Sequence, residues 1–194
     1  MPPRMVVIAG PPGSGKSSAF PVAQSGLRYF NADDRAAALN GGSYVGIPLE
    51  TRRVVNREFE AFVLASIRDR TGFALETTLR SKITFEQARI ARDAGFQTEM
   101  RYIALRDFAM HIERIKARAD AGGHSASEST LIPTYQSSLA NFPQAIKEMD
   151  KLWAYDNSDP GGPPRLLLES DRGEIQFVAD NPPSWLTAAL DVLD

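Results

Sequence analysis

The chain has 194 residues and a mass of 21.3 kDa, enough for one α/β domain with a real core and too little for two ordinary domains plus a linker. Hydrophobic residues at 43% and charged residues at 24% are globular proportions and exclude disorder, a coiled coil or a collagen-like rod. A net charge of -2 and a pI of about 5.8 argue against a duplex nucleic-acid partner, and the absence of cysteine excludes disulfides, thiol catalysis and cysteine-bound metals.

Met5 to Ala9 is a continuous apolar run rich in β-branched residues, as in a strand buried on both faces of a parallel sheet. It is shorter than the ~7–15 residues of a signal-peptide core, and no stretch reaches the ~18–20 of a membrane span, so the expectation is a soluble cytoplasmic protein without a membrane partner. Gly10 to Ser17 follows as a glycine-rich turn into a short helix. Leu27 to Asn31 reads as a second strand, with Asp33 or Asp34 as cap of a helix from Arg35 to Leu39. From Leu49 to about Arg70, Val55, Phe59 and Phe62 recur at helical spacing. Phe73 to Thr77 is a further buried strand, Ser81 to Ala94 a helix stopped by Gly95, and Gln97 to Leu105 a strand.

A helix from Asp107 carries the stripe Phe108, Ile112, Ile115 and Ala119 and ends at Gly122-Gly123; a loop from His124 to Ser129 follows. Tyr135, Leu139, Phe142, Ile146 and Met149 mark a helix, or a helix pair bent at Pro143. Leu152 to Asp156 returns to strand. Arg165 to Glu169 and Glu174 to Val178 form a hairpin around Asp171-Arg172-Gly173, and Pro183 to Leu193 is a terminal helix. Trp153 and Trp185 are expected in the core. The alternation predicts an α/β protein, a three-layer P-loop NTPase fold with a central, mostly parallel sheet flanked by helices, plus a C-terminal β-hairpin and helix. With no linker and no repeat, residues 1–194 read as one domain with a lid region at about 111–136.

Gly10, Gly15, Lys16 and Ser17 satisfy the pattern G-x-x-x-x-G-K-[ST], after a buried strand and at the mouth of a helix. Its glycines let successive backbone N–H groups wrap a phosphate, so Gly10, Pro11, Pro12, Gly13, Ser14, Gly15, Lys16, Ser17 and Ser18 are the expected nucleotide-binding residues. Lys16 is placed on the β- and γ-phosphates of ATP and the Ser17 hydroxyl on Mg2+. The guanine-reading Asn-Lys-x-Asp is absent, which disfavours a GTPase and leaves phosphoryl transfer either to a substrate or to water.

Asp33, after the second strand, belongs at the carboxyl end of the sheet, where a kinase needs a carboxylate to orient or deprotonate the accepting hydroxyl; the competing reading is a helix cap. Glu76, Thr78 and Arg80 alternate along the end of the third strand and suit a hydroxyl-bearing or phosphorylated substrate, or else Glu76 acts on Mg2+ or water. Arg114 and Arg118 lie one turn apart before Gly122-Gly123, as in a lid that closes over ATP, with His111 on their flank beside the apolar stripe.

These residues resemble the zeta-toxin-like P-loop kinases. The resemblance rests on Gly10 to Ser17, Asp33, the run Phe73 to Leu79, Arg114 to His124 with its Gly-Gly-His, Tyr135 to Asn141, and Tyr155-Asp-Asn-Ser158, and covers about residues 4–158. It implies an ATP- and Mg2+-dependent phosphotransferase with Asp33 as general base, Glu76, Thr78, Arg80 and the weaker match Glu60 around the acceptor, and Arg114 or Arg118 on the transferred phosphoryl. It further implies a small-molecule substrate, with a UDP-activated amino sugar as the family's known acceptor, and a small helical antitoxin-like partner. Thr134 stands where relatives often carry a lid arginine, and Ser125 and Ser127 replace an acidic residue and a proline. The alternative is an ATP-binding regulatory module or slow ATPase without an acceptor, and Thr134 is its main support.

Overall fold

The computed structural model describes residues 1–44, 46–120 and 128–193. The apolar run near the start forms β1 (Arg4–Ala9), in which every residue after Arg4 is buried. Burial on both faces follows from its central place. It pairs in parallel with β3 (Phe73–Thr77) on one side and β4 (Gln97–Ala104) on the other. β2 (Arg28–Phe30) extends the sheet beyond β3, and β5 (Lys151–Asp156) extends it beyond β4, again in parallel. β6 (Arg165–Asp171) and β7 (Glu174–Val178) close the order β2-β3-β1-β4-β5-β6-β7 as an antiparallel hairpin. Arg172 and Gly173 both take positive φ at its tip (49 and 83), the geometry whose twist matches two flanking strands.

Helices cover the two faces. α1 (Lys16–Ala19) follows β1, α2 (Ala32–Leu39) follows β2, and α3 (Leu49–Arg68) and α4 (Ile83–Asp93) flank β3 in sequence. α5 (Phe108–Asp120), α6 (Glu128–Glu148) and α7 (Ser184–Asp191) complete the set among the described residues. The larger core lies on one face, where Met5, Val7, Leu75, Met100, Tyr102 and Leu152 meet α3, α4, α6 and α7. Val6, Ile8, Ala74 and Ile103 face the other way, against Phe20, Val22 and Leu27. This is the expected three-layer α/β fold with its C-terminal hairpin and helix.

Three expectations are corrected, and of the two alternatives for the segment after the lid the single helix is the one formed. The cap of α2 is neither Asp33 nor Asp34 but Asn31, whose side chain accepts from both of their backbone N–H groups, so the helix begins at Ala32 rather than Arg35. α6 runs unbroken through Pro133 and Pro143, because Leu131, Phe142, Ala145, Ile146 and Met149 bury one stripe that offsets the ~3 kcal/mol a mid-helix proline costs. It starts at Glu128, so Glu128 and Ser129 are helical rather than loop. Trp185 is buried with Tyr102 and Phe142, but Trp153 is only half-buried, beneath the Arg101 guanidinium at 5.9 Å from its ring centre. Gly122, Gly123, His124, Ser125 and Ser127 lie outside the described residues. No described helix is long and apolar enough to cross a membrane.

Candidate active site

β1 delivers the chain at Gly10 between its two parallel neighbours, and from there the backbone bends in ways that only glycine tolerates well. Gly10, Gly13 and Gly15 have φ of 143, 76 and 82. A Cβ on Gly13 would stand 2.7 Å from the His111 carbonyl, one on Gly15 would stand 2.5 Å from Asn157 Nδ2, and one on Gly10 would collide with the Ile103 carbonyl. The loop is therefore pressed against β4, α5 and the chain after β5, and within it the Gly10 N–H donates to the Thr77 carbonyl and the Ser14 N–H to the Pro11 carbonyl. The four residues of α1 add little dipole of their own, so an anion held here would rest on the loop amides.

Lys16 folds back into the loop. Its buried Nζ donates to the carbonyls of Gly10 (2.9 Å) and Pro11 (3.2 Å). Burial pushes the ammonium below its ordinary value, the Glu76 and Asp33 carboxylates draw it back up, and the Arg118 guanidinium adds to the lowering. Glu76, Asp33 and Arg118 thus all lie within electrostatic reach of this one ammonium. Ser17 donates its hydroxyl to Glu76, at 2.9 Å from Oε2 and 3.3 Å from Oε1.

The two aspartates of α2 differ in employment. Asp34 is occupied: Oδ1 accepts from the Tyr44 hydroxyl at 2.8 Å and Oδ2 from Asn31 Nδ2 at 2.7 Å. The Tyr44 phenol is consequently raised above its ordinary value, chiefly by that hydrogen bond. The exposed Asp33 carboxylate instead contributes to the field at Lys16.

β3 ends at Thr77, so the alternation expected to align Glu76, Thr78 and Arg80 stops after Glu76. Leu79 then adopts φ 57, its N–H donating to Thr77 Oγ1 and its carbonyl accepting from Asn141 Nδ2 of α6. Thr78 is half-buried in this turn and Arg80 is exposed beyond it. Glu60 is exposed on α3; the acid of that helix that meets α2 is Glu58, paired at 2.7 and 2.9 Å with Arg35.

Arg114 and Arg118 also differ. Arg114 Nη2 donates to the Asn157 carbonyl at 2.7 Å, while Arg118 is exposed and acts on Lys16 and Tyr44 through its charge. Asn157 in turn donates Nδ2 to the Ser14 carbonyl at 2.8 Å. Two supports of the loop thus escaped assignment in the sequence: Asn157, although it lies inside Tyr155-Asp-Asn-Ser158, and His111, 1% exposed beneath the loop. The signal for His111 was its helical phase with Arg114, Ile115 and Arg118.

The loop fits a phosphate chain. Its glycine cradle would be filled by any Cβ, and Ser14 Oγ is buried without a hydrogen-bond partner. Ser17 and Glu76 together offer hard oxygens of the kind Mg2+ takes in ones and twos beside phosphate oxygens. Among the described residues there is no cluster of three or more His, Asp or Glu that would hold a metal by protein ligands alone.

No protein-family model matches the chain. An uncharacterized protein of Haemophilus influenzae is 25% identical over 134 residues, 66% of this chain and 89% of that protein. Among solved structures, the AvrRxo1-ORF1:-ORF2 complex with ATP superposes with a TM-score of 0.70 at 12% identity, over 99% of this chain and 64% of that one. The chain thus spans just under two thirds of that structure's length. The PezAT chromosomal toxin-antitoxin system of Streptococcus pneumoniae gives 0.58 at 12% identity over 98% of this chain and 78% of that one. A putative kinase from Chloroflexus aurantiacus gives 0.54 at 15% identity, over 71% and 79%. The chain shares its three-layer α/β fold with these structures.

Proposed function

We propose that this chain is an ATP-dependent small-molecule kinase that transfers the γ-phosphoryl group to a hydroxyl of its substrate, with residues 1–194 acting as one domain. The observation that supports the reading is Lys16 folded into the glycine loop beside the Ser17–Glu76 hydrogen bond, with the charges of Asp33 and Arg118 acting on the same ammonium. An ATPase needs the loop, the lysine, the hydroxyl and one group that orients water, a role that Glu76 beside Ser17 can fill. A carboxylate left uncommitted beside them, on the helix after β2, is what an acceptor hydroxyl requires.

In this reading the run Gly10 to Ser18 surrounds the phosphates, with the N–H groups of Gly13, Gly15, Lys16 and Ser17 as its donors, since Pro11 and Pro12 carry none and those of Gly10, Ser14 and Ser18 are given to Thr77, Pro11 and Gly15. Lys16 exchanges its carbonyl partners for phosphate oxygens, and Ser17 with Glu76 would hold Mg2+. The metal, when bound, neutralises charge on the phosphate oxygens. Asp33 accepts the proton of the acceptor hydroxyl as that oxygen bonds to the γ-phosphorus and the bond to ADP breaks. Arg118 supplies positive charge to the equatorial oxygens, Arg114 shapes the wall beside Asn157, and Thr78 with Arg80 borders the acceptor. Glu60, exposed on α3, is the weakest member of that set.

The test is ATP consumption by the parent and Lys16→Ala against UDP-activated amino sugars, other UDP-sugars, nucleosides and aminoglycosides. Acceptor-dependent turnover in the parent, lost in the variant, supports the kinase. Acceptor-independent hydrolysis across the panel moves the protein to the slow ATPase. Binding of PezAT type, to a small helical antitoxin-like protein, is a separate question, answered by co-purification with the product of the adjacent gene.

A further inference from the structure

We propose that His111 is a positioning residue of the triphosphate site, turning one peptide plane of the phosphate-binding loop so that its N–H faces the ligand. The proposal rests on the reading of Gly10 to Ser17 as a triphosphate loop and adds what keeps that loop in shape. The ring joins three elements. Nδ1 lies 2.7 Å from the Pro12 carbonyl, and Nε2 accepts from the Leu105 N–H at 3.1 Å, just past β4. Because Nε2 is an acceptor, the proton sits on Nδ1, which donates to Pro12.

The consequence follows from the planarity of the peptide group. In a trans peptide the C=O and the following N–H point in opposite directions. Pinning the Pro12 carbonyl to the imidazole, on the side of α5, therefore aims the Gly13 N–H at the opposite side, where an anion would sit. Left unpinned, the same carbonyl could turn inward and present negative charge to a phosphate. Asn157 does the same one step on: by holding the Ser14 carbonyl it aims the Gly15 N–H. Gly13 leaves no room between loop and α5, since a Cβ there would meet the His111 carbonyl and Ile115 Cγ1 at 2.7 and 2.9 Å.

The neutral ring that this role needs is maintained from every side. Burial pushes the imidazole down to about 4, the loop lysine Lys16 and Arg114 of α5 oppose its protonation, and only the Pro12 carbonyl and Asp107, just before α5, favour it. From α6, Tyr135 places its ring 5.2 Å away and edge-on.

The experiment is calorimetric titration of inorganic tripolyphosphate and of ATP into the parent and into His111→Asn, His111→Gln and His111→Leu, each first checked for fold by circular dichroism. Asn presents an N–H near the Nδ1 position and can still hold Pro12; Gln carries its amide to the Nε2 position and serves only Leu105. The expected result is tripolyphosphate affinity within about twofold of the parent for Asn, and a loss of about 5–10-fold for Gln and Leu, the worth of one buried hydrogen bond. Equal affinity in folded Gln or Leu variants would overturn the proposal, as would equal losses for Asn and Gln, which mark a ring that only fills space. Imidazole nitrogen NMR of the parent, which has two histidines, needs no variant to fold: the Nδ1–H tautomer supports the proposal and the Nε2–H tautomer overturns it. A parent that binds neither tripolyphosphate nor ATP fails at the earlier step and removes the loop reading itself.

Discussion

Ser17 and Glu76 stand 59 residues apart in sequence and share a hydrogen bond of 2.9 Å, because β1 and β3 are parallel neighbours that release their chains at the same end of the sheet. A hydroxyl and a carboxylate held together beside a phosphate loop form a pair of hard oxygen ligands. Glu76→Gln keeps the shape and removes the charge. It is expected to leave ATP affinity without Mg2+ unchanged while raising the Mg2+ concentration for half-maximal turnover by about tenfold or more. An unchanged Mg2+ titration with a raised acceptor KM would move Glu76 from the metal to the acceptor.

The second prediction separates Asp33 from Asp34. Asp34 is committed to Tyr44 and Asn31, so Asp34→Ala should lower the melting temperature slightly through the lost pairings, which are exposed to solvent. Asp33→Asn has no such contact to lose. It should keep ATP affinity within a few fold and lower turnover by about 10²–10⁴, the usual worth of a general base. Full turnover in Asp33→Asn would leave that carboxylate with only its place in the first turn of α2.

What the sequence made legible was whatever a local rule dictates. Met5 to Ala9 reads as a central strand because burial on both faces needs an unbroken apolar run, and the spacing of Gly10, Gly15, Lys16 and Ser17 is short enough to survive any tertiary context. Asp33 was singled out over Asp34 in the sequence, but what occupies Asp34 was not legible, since the cap is Asn31 and the partner of the other oxygen is Tyr44, ten residues beyond. Arg80 was misaligned because strand alternation was carried past Thr77, where the positive φ of Leu79 ends it. His111 looked like a flank residue because its partners, Pro12 and Leu105, are brought to it by sheet topology, one of them 99 residues away. Trp153 was read as core from its residue type alone, whereas the register sets Arg101 beside it and leaves it half-buried.

The third prediction concerns acid. The folded pKa of His111, about 4, lies below the ordinary 6.5 of an exposed imidazole, so the unfolded chain binds this proton more readily. The contribution of the neutral ring is therefore complete above about pH 6.5 and is lost as pH falls from there to about 4, on the order of 3 kcal/mol in all. Denaturant titrations at pH 7, 6 and 5 should show the parent weakening more steeply than His111→Asn. Parallel slopes in the two proteins would mean that the ring titrates as an exposed imidazole does.

The last prediction divides the two arginines of α5. Arg114 makes a 2.7 Å bond to the Asn157 carbonyl and lies against the wall that supports Gly15, so Arg114→Ala should weaken ATP binding and lower the melting temperature together. Arg118 is exposed, one turn nearer the end of the helix, and reaches Lys16 only through its field. A charge that matters while phosphate charge is redistributing, and little before, should cost turnover without costing affinity: Arg118→Ala is expected to bind ATP within a few fold of the parent and to lose about 10²-fold or more in kcat, toward the 10³–10⁵ that a mobile arginine can supply. Turnover measured on the acceptor found in the screen, together with ATP affinity and melting temperature, separates the two residues. Should Arg118→Ala match the parent in kcat, the phosphoryl group is served by Lys16 alone, and the ATP-binding module becomes the better account of the site.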